Sequence, residues 1–246
     1  MSALITDKVE RDKRNHEKMA MVIQFLKQET YTDIHNLMAI MQYQKRQPLD
    51  RLLNKLIALG FITKHVFEFQ TGKVSIWGIT DLGLTQHIRT LNEDFRPFEP
   101  TKVKLMTLEH KLMNQKVQIY LARNGWRDWH NADQYSFRSQ FEVEHRPDAV
   151  MTAPNGYTIA IETERTLKHV SRYRSIFKSH ILAKQKGYWN AVFYVVPDDN
   201  IRHLLEKRFD KIGYIPFELS KHPFDHYRTK LVRIFTLDEI KVLETH

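Results

Sequence analysis

The sequence predicts an α+β protein of two domains, in which a small helical domain with a hairpin precedes a larger α/β domain. The chain has 246 residues, more than one typical domain of about 150 residues. A polar segment at 92–104, with two prolines and no periodicity, separates two apolar patterns. Helices and a hairpin are predicted before it, and helices alternating with strands after it.

The composition sets the class of protein. Hydrophobic residues make up 42% and aromatic residues 11% of the chain, which is enough to form cores and argues against disorder. Cysteine is absent, and this excludes disulfides, thiolate metal sites and cysteine nucleophiles. The sequence also lacks a HExxH helix, a GxGxxG loop and the upstream glycine of a P-loop before Thr71-Gly72-Lys73.

Charge and targeting signals indicate the environment and the partner. The 38 Lys and Arg residues outnumber 29 Asp and Glu residues, giving a net charge of +9, which is typical of proteins that bind polyanions such as DNA. The alternative is a solvated basic surface. The N-terminal stretch Asp7–Lys18 is charged where a signal peptide is apolar. We therefore expect a soluble, cytoplasmic protein without membrane insertion.

Three helices are predicted at the start of the chain. The first covers Glu17–Leu26, and the second begins near Thr32, a residue type suited to an N-cap. The third begins at Pro48 and ends at Gly60. Its predicted buried stripe is Leu49, Leu52, Leu53, Leu56 and Ile57.

A β-hairpin completes the first domain. Phe61–Phe69 and Val74–Thr80 are rich in β-forming residues and flank a turn at 70–73. Three helices and a hairpin resemble a winged helix-turn-helix domain over 1–91, whose third helix enters the major groove. The alternatives are a solvated helix face and a protein-binding winged helix. Candidate DNA-binding residues are Arg46, Arg51, Asn54, Lys55 and Lys73.

The second domain, 105–246, has the predicted order α, β, β, α, β, α, β. The elements are a helix at Leu105–Ala122 with Leu105, Leu108, Leu112 and Ile119 on one stripe, strands Gln140–Met151 and Tyr157–Glu164, a helix at Thr166–Lys186, a strand at Trp189–Val196, a helix at Asp198–Phe209, a strand around Leu231–Phe235 and a final helix from Asp238.

Carboxylates converge on one face of the predicted hairpin. Side chains alternate along a strand, so Glu162 and Glu164 share a face with Ala160. Asp148, on the partner strand, joins them if the pairing register is even. Three such acids repel one another unless a cation compensates, and oxygen ligands suit Mg²⁺ or Mn²⁺.

The following helix is predicted to have one basic face and one apolar face. Arg165, Lys168 and Arg172 recur at steps of three and four residues, so Lys168 is expected to return toward the carboxylates from the first turn. Arg165 and Arg172 are candidates for DNA contact or a solvated surface. Tyr173 has two interpretations, a core residue and a nucleophile that attacks DNA.

These residues resemble the PD-(D/E)XK nuclease motif. Pro147-Asp148, thirteen further residues and Glu162-Thr163-Glu164 match it, except that Glu164 stands where the motif has lysine. The resemblance implies that Lys168 takes the lysine role, as in variants where it has moved to the next helix. The runs that extend the similarity to the replication-relaxation family are Glu109-His110-Lys111-Leu112, Arg146-Pro147-Asp148-Ala149, Ile161–Arg165, Lys168 and Arg172-Tyr173.

Membership of that family implies a winged helix joined to a restriction-endonuclease-like core. The size and layout are similar to those of MOB-C class relaxases, which nick one strand at a plasmid origin of transfer during conjugative mobilisation. The implied partners are this DNA, an accessory mobilisation protein and a coupling protein. The implied catalytic residues are Asp148, Glu162, Glu164 and Lys168, with Asp148 and Glu162 as ligands of Mn²⁺ or Mg²⁺ and Glu109, His110 and Tyr173 as auxiliary candidates.

Two functions from different classes therefore remain open. The first is a divalent-metal-dependent DNA endonuclease in which bound metal activates water and stabilises the scissile phosphate. The second is a non-catalytic DNA-binding regulator of replication or transcription, in which the nuclease-like core is a scaffold. Cleavage of plasmid DNA separates the two.

Overall fold

The computed structural model describes residues 7–70, 72–86 and 95–243. The fold is mixed α+β, as predicted, with helices and three separate sheets in the described chain. It divides into two compact units, residues 1–116 and 117–246. This division lies inside a helix and not in the predicted linker at 92–104. Among the described helices, none has the length and apolar character needed to cross a membrane.

Unit 1 contains the helices and the hairpin. Its elements are α1 (Lys8–Glu29), β1 (Tyr31–Asp33), α2 (Ile34–Met41), α3 (Arg46–Ala58), β2 (Ile62–Phe69), β3 (Gly72–Ile79), α4 (Asp81–Thr85), a 3₁₀ turn (Pro100–Lys102) and the first part of α5 (Leu105–Arg123). The sheet has the order β1-β3-β2 and is antiparallel. Leucines of α3 and residues of α1 form the core beside it.

Four predictions for the helices of unit 1 are wrong. The first helix begins at Lys8 and not at Glu17, and the third begins at Arg46, so Pro48 is not its first residue. Thr32 is not an N-cap: it lies in β1, and its hydroxyl donates to Gln115 Oε1 at 2.7 Å. The N-cap is Asp33, whose carboxylate accepts from the Asn36 N–H, because a carboxylate satisfies this donor at least as well as a hydroxyl. Ile57 is 37% exposed, since it lies at the edge of the α3 stripe.

The described part of the predicted linker packs on the unit 1 sheet. The Phe98 N–H donates to Ile79 O at 2.8 Å, and Phe98, Ile76 and Leu108 form one buried cluster. The Phe98 ring lies so close to Gly78 that a Cβ there would be 2.1 Å from ring atom Cγ. Glycine at 78 is therefore required by this close approach, and residues 95–104 belong to unit 1. Residues 92–94 lie outside the described chain.

Unit 2 is built around a five-stranded sheet of order β10-β7-β6-β5-β4. Its elements are the rest of α5, β4 (Arg127–Asn131), α6 (Tyr135–Gln140), β5 (Ala149–Thr152), β6 (Thr158–Thr163), α7 (Val170–Gln185), β7 (Ala191–Val196), α8 (Asp199–Asp210), β8 (Tyr214–Pro216), β9 (Lys221–Pro223), α9 (Asp225–Leu231), β10 (Val232–Thr236) and α10 (Leu237–Lys241). Strands β4, β5 and β6 are antiparallel, whereas β6, β7 and β10 are parallel.

Four predictions for the second domain, 105–246, differ from the structure. The predicted order α, β, β, α, β, α, β omits β4, α6, β8, β9 and α9. The predicted strand Gln140–Met151 forms only from Ala149, because the backbone before it is used otherwise: the His145 N–H donates to a side chain of α7, Ser179 Oγ, at 3.0 Å. The helix predicted from Thr166 begins at Val170, since the His169 side chain caps it. Leu105, expected on the buried stripe of α5, is 42% exposed at the start of that helix.

One face of the sheet packs against α7 and α8. Ala160 of β6 and Tyr194 of β7 are fully buried there, and the Phe177 and Phe209 rings of the two helices lie 5.8 and 5.2 Å from the Tyr194 ring. Glu162 and Glu164 follow Ala160 at steps of two residues and share its face. The carboxylates are thus located where the apolar core meets the carboxyl end of β6.

Candidate functional site

Asp148 directly precedes β5, at the end of the β5–β6 pair where Glu162 lies. The observed register is even over Ala149–Thr152 and pairs Ala149 with Ile161. Asp148 lies outside these paired residues, and its N–H donates to Ile161 O at 2.9 Å, so the ladder is irregular at this residue. Asp148 Oδ2 accepts from the Thr163 N–H at 2.6 Å, which holds this carboxylate at the end of β6. The even register is thus confirmed for the strand that follows Asp148.

Glu162 is bonded to two histidines that the sequence analysis did not identify. His145 Nε2 donates to Glu162 Oε1 at 2.8 Å, and His180 Nε2 donates to the same oxygen at 2.9 Å. Burial alone raises the pKa of Glu162, but hydrogen bonds from both histidines outweigh it and lower this pKa to about 2. Burial lowers the pKa of His180. The geometry is that of a carboxylate anion held by a buried neutral imidazole.

A signal for His180 was present in the sequence. His180 follows Tyr173 by seven residues and Phe177 by three, so it lies on the apolar stripe of α7. A histidine on such a stripe needs a polar partner inside the protein. No comparable periodicity marks His145, because it lies in a loop whose path depends on Ser179 of α7.

Glu164 forms a second polar group with Lys168 and Tyr173. Lys168 Nζ lies 2.5 Å from Glu164 Oε2, and the Tyr173 hydroxyl donates to the same oxygen at 3.0 Å. Burial raises the pKa of Glu164 despite Lys168. Lys168 reaches the carboxylates as predicted, but from the connection before α7 and not from its first turn. Its N–H donates to the Tyr173 hydroxyl at 3.2 Å.

Tyr173 is part of the core and of the site at once. Its side chain is fully buried, and its ring lies 5.2 Å from that of Phe209. Burial and the neighbouring Glu164 carboxylate both raise the pKa of its hydroxyl. A phenol in this state is a hydrogen-bond donor and a poor nucleophile.

Tyr194 faces the same carboxylates from β7, where it pairs with Glu162 in the parallel register. Burial raises the pKa of its hydroxyl, and Glu162, Glu164, Tyr173 and Asp148 raise it further. Among the residues that the structure describes, none forms a hydrogen bond with this buried hydroxyl. A buried phenol of this kind normally has a partner.

Other predicted site residues lie elsewhere. Arg172 is exposed on α7, and Arg165 is half-buried in the connection before it. Glu109 and His110 lie on the part of α5 that belongs to unit 1.

The predicted DNA-binding residues lie in unit 1. Arg51, Asn54 and Lys55 are exposed on α3. Two others have acidic partners: Arg46 Nε is 3.1 Å from Asp50 Oδ1 and Lys73 Nζ is 2.5 Å from Glu68 Oε1. Both ion pairs are solvent-exposed and contribute little to stability. Arg51 and Lys55 are therefore the basic groups of α3 that form no ion pair within the described chain.

Comparison of the chain with models of known families, with curated proteins and with solved structures finds no match in any of the three.

Proposed function

We propose that the protein is a divalent-metal-dependent DNA endonuclease that nicks one strand, acting as a relaxase at a plasmid origin of transfer. The observation that carries the proposal is the group of Asp148, Glu162 and Glu164 around Tyr194 at the end of β6, where Asp148 Oδ2 accepts from the Thr163 N–H and Lys168 Nζ lies 2.5 Å from Glu164 Oε2. Two acids and a lysine at the end of a β-hairpin are the groups that metal-dependent phosphodiester cleavage uses.

The order of elements around these residues supports the proposal. A helix (α5) precedes the antiparallel strands β4, β5 and β6, and α7 then connects β6 to the parallel strand β7. This is the order expected of a PD-(D/E)XK core. Function still depends on the site and not on topology alone.

The side chains fit a divalent cation. Glu162 is ionised at neutral pH because its pKa is lowered to about 2, and an anionic carboxylate is the form that binds metal. Asp148 and Glu162 would hold Mn²⁺ or Mg²⁺, and Glu164 would add a ligand or act through water. When bound, the metal supplies a water of lowered pKa and neutralises charge on the scissile phosphate. Lys168 places a positive charge beside the same carboxylates.

Unit 1 would bring DNA to this site. Its helices and hairpin follow the order of a winged helix-turn-helix domain, and Arg51 and Lys55 project from α3, the helix that such domains place in the major groove. Phosphate contacts of this kind fix position on the duplex and make binding depend on salt. The accessory mobilisation protein and the coupling protein are partners of this proposed role.

A second candidate is a non-catalytic DNA-binding regulator. One observation favours it: Glu162 Oε1 already accepts from two histidines, and Glu164 is already neutralised by Lys168. Polar groups satisfied in this way form a stable interior without metal. In this case the core of unit 2 is a scaffold and unit 1 carries the function.

Incubation of the full chain with supercoiled plasmid in Mn²⁺ or Mg²⁺ separates the candidates. An endonuclease converts supercoiled plasmid to the open circle, and chelation or Asp148→Asn stops the conversion. Retarded plasmid that is never cut in either metal supports the regulator. The plasmid must contain an origin of transfer, and a plasmid without one serves as the control for site preference.

A further inference from the structure

We propose that His145, Glu162 and His180 form a binding site for a transition-metal dication of the zinc class, such as Zn²⁺, Co²⁺ or Ni²⁺. The inference goes beyond the proposed function, because binding at these three residues requires neither DNA nor Asp148. The ligands are two imidazole nitrogens and one carboxylate oxygen, supplied by the 141–148 loop, β6 and α7.

The donor atoms already converge. The three ligand atoms lie within 4.8 Å of one another, and Glu162 Oε1 is 2.8 Å from His145 Nε2 and 2.9 Å from His180 Nε2. Ligand atoms of a tetrahedral ion with bonds of about 2.0–2.1 Å are about 3.3 Å apart. A cation can therefore bind these atoms with movements of the side chains when each imidazole carries its proton on Nδ1 and presents the Nε2 lone pair, so that neither neutral ring loses a proton.

The loop that carries His145 is fixed independently of any metal. The His145 N–H donates to Ser179 Oγ at 3.0 Å, and this hydroxyl donates back to His145 O at 3.3 Å. Ser179 directly precedes His180 on α7, so the same helical turn positions both imidazoles. The two rings are 5.6 Å apart and nearly perpendicular, at 87°. Ligands positioned in advance lose little freedom when a metal binds.

A second buried polar group lies on the strand beside Glu162. The Tyr194 hydroxyl is fully buried, it lacks a hydrogen-bond partner within the described chain, and Tyr194 pairs with Glu162 across the β6–β7 ladder. Water on a metal held by Glu162 would give this hydroxyl a partner. Access is from the His145 side, where the side chain is 15% exposed, whereas that of His180 is fully buried.

The ligand set selects the class of cation. Imidazole nitrogen suits zinc-class ions, whereas Mg²⁺ prefers oxygen ligands and keeps its waters. With two nitrogens among three protein ligands, Zn²⁺ or Co²⁺ is expected to bind more tightly than Mg²⁺ by more than about 100-fold, because Mg²⁺ prefers oxygen ligands and gives up its waters reluctantly.

The test is a metal titration of the full chain without a histidine tag, after treatment with a chelator. Co²⁺ is followed by its visible absorption and Zn²⁺ by calorimetry, each against Mg²⁺. One ion per chain is expected. His145→Asn should weaken binding by at least about 10-fold, since even partners outside the ligand shell cost about 10–100-fold. His203→Asn, an exposed histidine on α8, should bind as wild type does.

Two results would overturn the proposal. The first is that wild type binds Co²⁺ no more tightly than Mg²⁺, and the second is that His145→Asn binds Co²⁺ with the same affinity as His203→Asn. If His145→Asn does not fold, X-ray absorption of zinc-loaded wild type decides, because two imidazole ligands are expected and their absence refutes the site. The titrations contain no DNA. A failure here therefore leaves the nicking experiment intact, and a failure to nick leaves the metal result intact.

Discussion

Lys168 Nζ lies 2.5 Å from Glu164 Oε2, and it reaches this buried carboxylate from the irregular connection between β6 and α7. The Glu164 side chain is 3% exposed and that of Lys168 is 34% exposed. Glu164 is the first residue after β6, and Lys168 lies four residues further along the same connection, so this segment supplies both partners of the ion pair.

Removing Lys168 should destabilise the fold, because the buried Glu164 carboxylate then has no cation beside it. Lys168→Met leaves Glu164 without its cation and should lower the free energy of unfolding by about 2 kcal/mol, less than for a wholly buried pair because Lys168 is partly solvated. Lys168→Met with Glu164→Gln should recover most of the loss. Urea unfolding of the single and double variants measures this coupling, and strictly additive effects would contradict it.

The carboxylate pair is expected to be essential for cleavage. Asp148→Asn and Glu162→Gln should each abolish nicking and leave DNA retention unchanged, while Asp133→Asn, an exposed acid on the same unit, should cut normally. Plasmid conversion and gel retardation measure the two properties. Wild-type cleavage by either variant would show that the metal-binding carboxylates are assigned wrongly. Glu162→Ala should also lower the melting temperature, since two histidine donors lose their acceptor.

DNA binding should depend on α3. Arg51→Ala with Lys55→Ala removes two exposed cations and should reduce the slope of log affinity against log salt by about 0.9 for each phosphate that is no longer neutralised. Lys207→Ala with Lys211→Ala makes the same charge change on unit 2 and is the control. Fluorescence anisotropy at several salt concentrations gives both slopes. Equal slopes for the two pairs would remove α3 from the interface.

Cleavage is expected to proceed by water and not by tyrosine. The Tyr173 hydroxyl donates to Glu164 and is buried, so Tyr173→Phe should destabilise the fold by about 1 kcal/mol and retain at least part of the nicking. Denaturing gels of the reaction should show nicked DNA free of protein. A covalent adduct that forms in wild type and disappears in Tyr173→Phe would establish tyrosyl transfer instead.

Glu239 should make stability sensitive to acid. Although burial raises its pKa, the Thr236 N–H and Arg202 outweigh this and hold the pKa of Glu239 below its ordinary value, with Arg202 Nη1 2.7 Å from Glu239 Oε1. Because the pKa of this carboxyl is lower in the folded state, its ionised form stabilises the fold at a pH above the unfolded-state pKa. This stabilisation is lost as the pH falls through the folded-state pKa. Glu239→Gln should therefore be less stable than wild type at pH 7, by at most about 1 kcal/mol.

The measurement for Glu239 is thermal unfolding between pH 7 and pH 3. The melting temperatures of wild type and Glu239→Gln should approach each other as the pH falls. Protonation of Glu239 removes its charge in wild type at low pH, whereas the substitution removes it at every pH. A difference that stays constant across this range would mean that the ionised carboxylate contributes nothing through Arg202 or Thr236.

The sequence by itself determined the elements with clear periodicity and the residues that share a strand face. Alternation along Tyr157–Glu164 placed Glu162 and Glu164 together, because side chains of a strand alternate whatever the surroundings are. The leucine stripe identified α3, although its polar first turn gave no signal. These properties are local, so neighbouring residues in the chain suffice to predict them.

Only the tertiary structure decided what lies beside the carboxylates. His145 has no regular spacing from Glu162, and its loop is held by Ser179, which is far along the chain on α7. The start of α7 at Val170, which places Lys168 in a loop, depends on a cap and on β6 and not on helical periodicity. Contacts between distant segments fix both features. A pattern read along one segment therefore finds the acids of this site and misses their histidines.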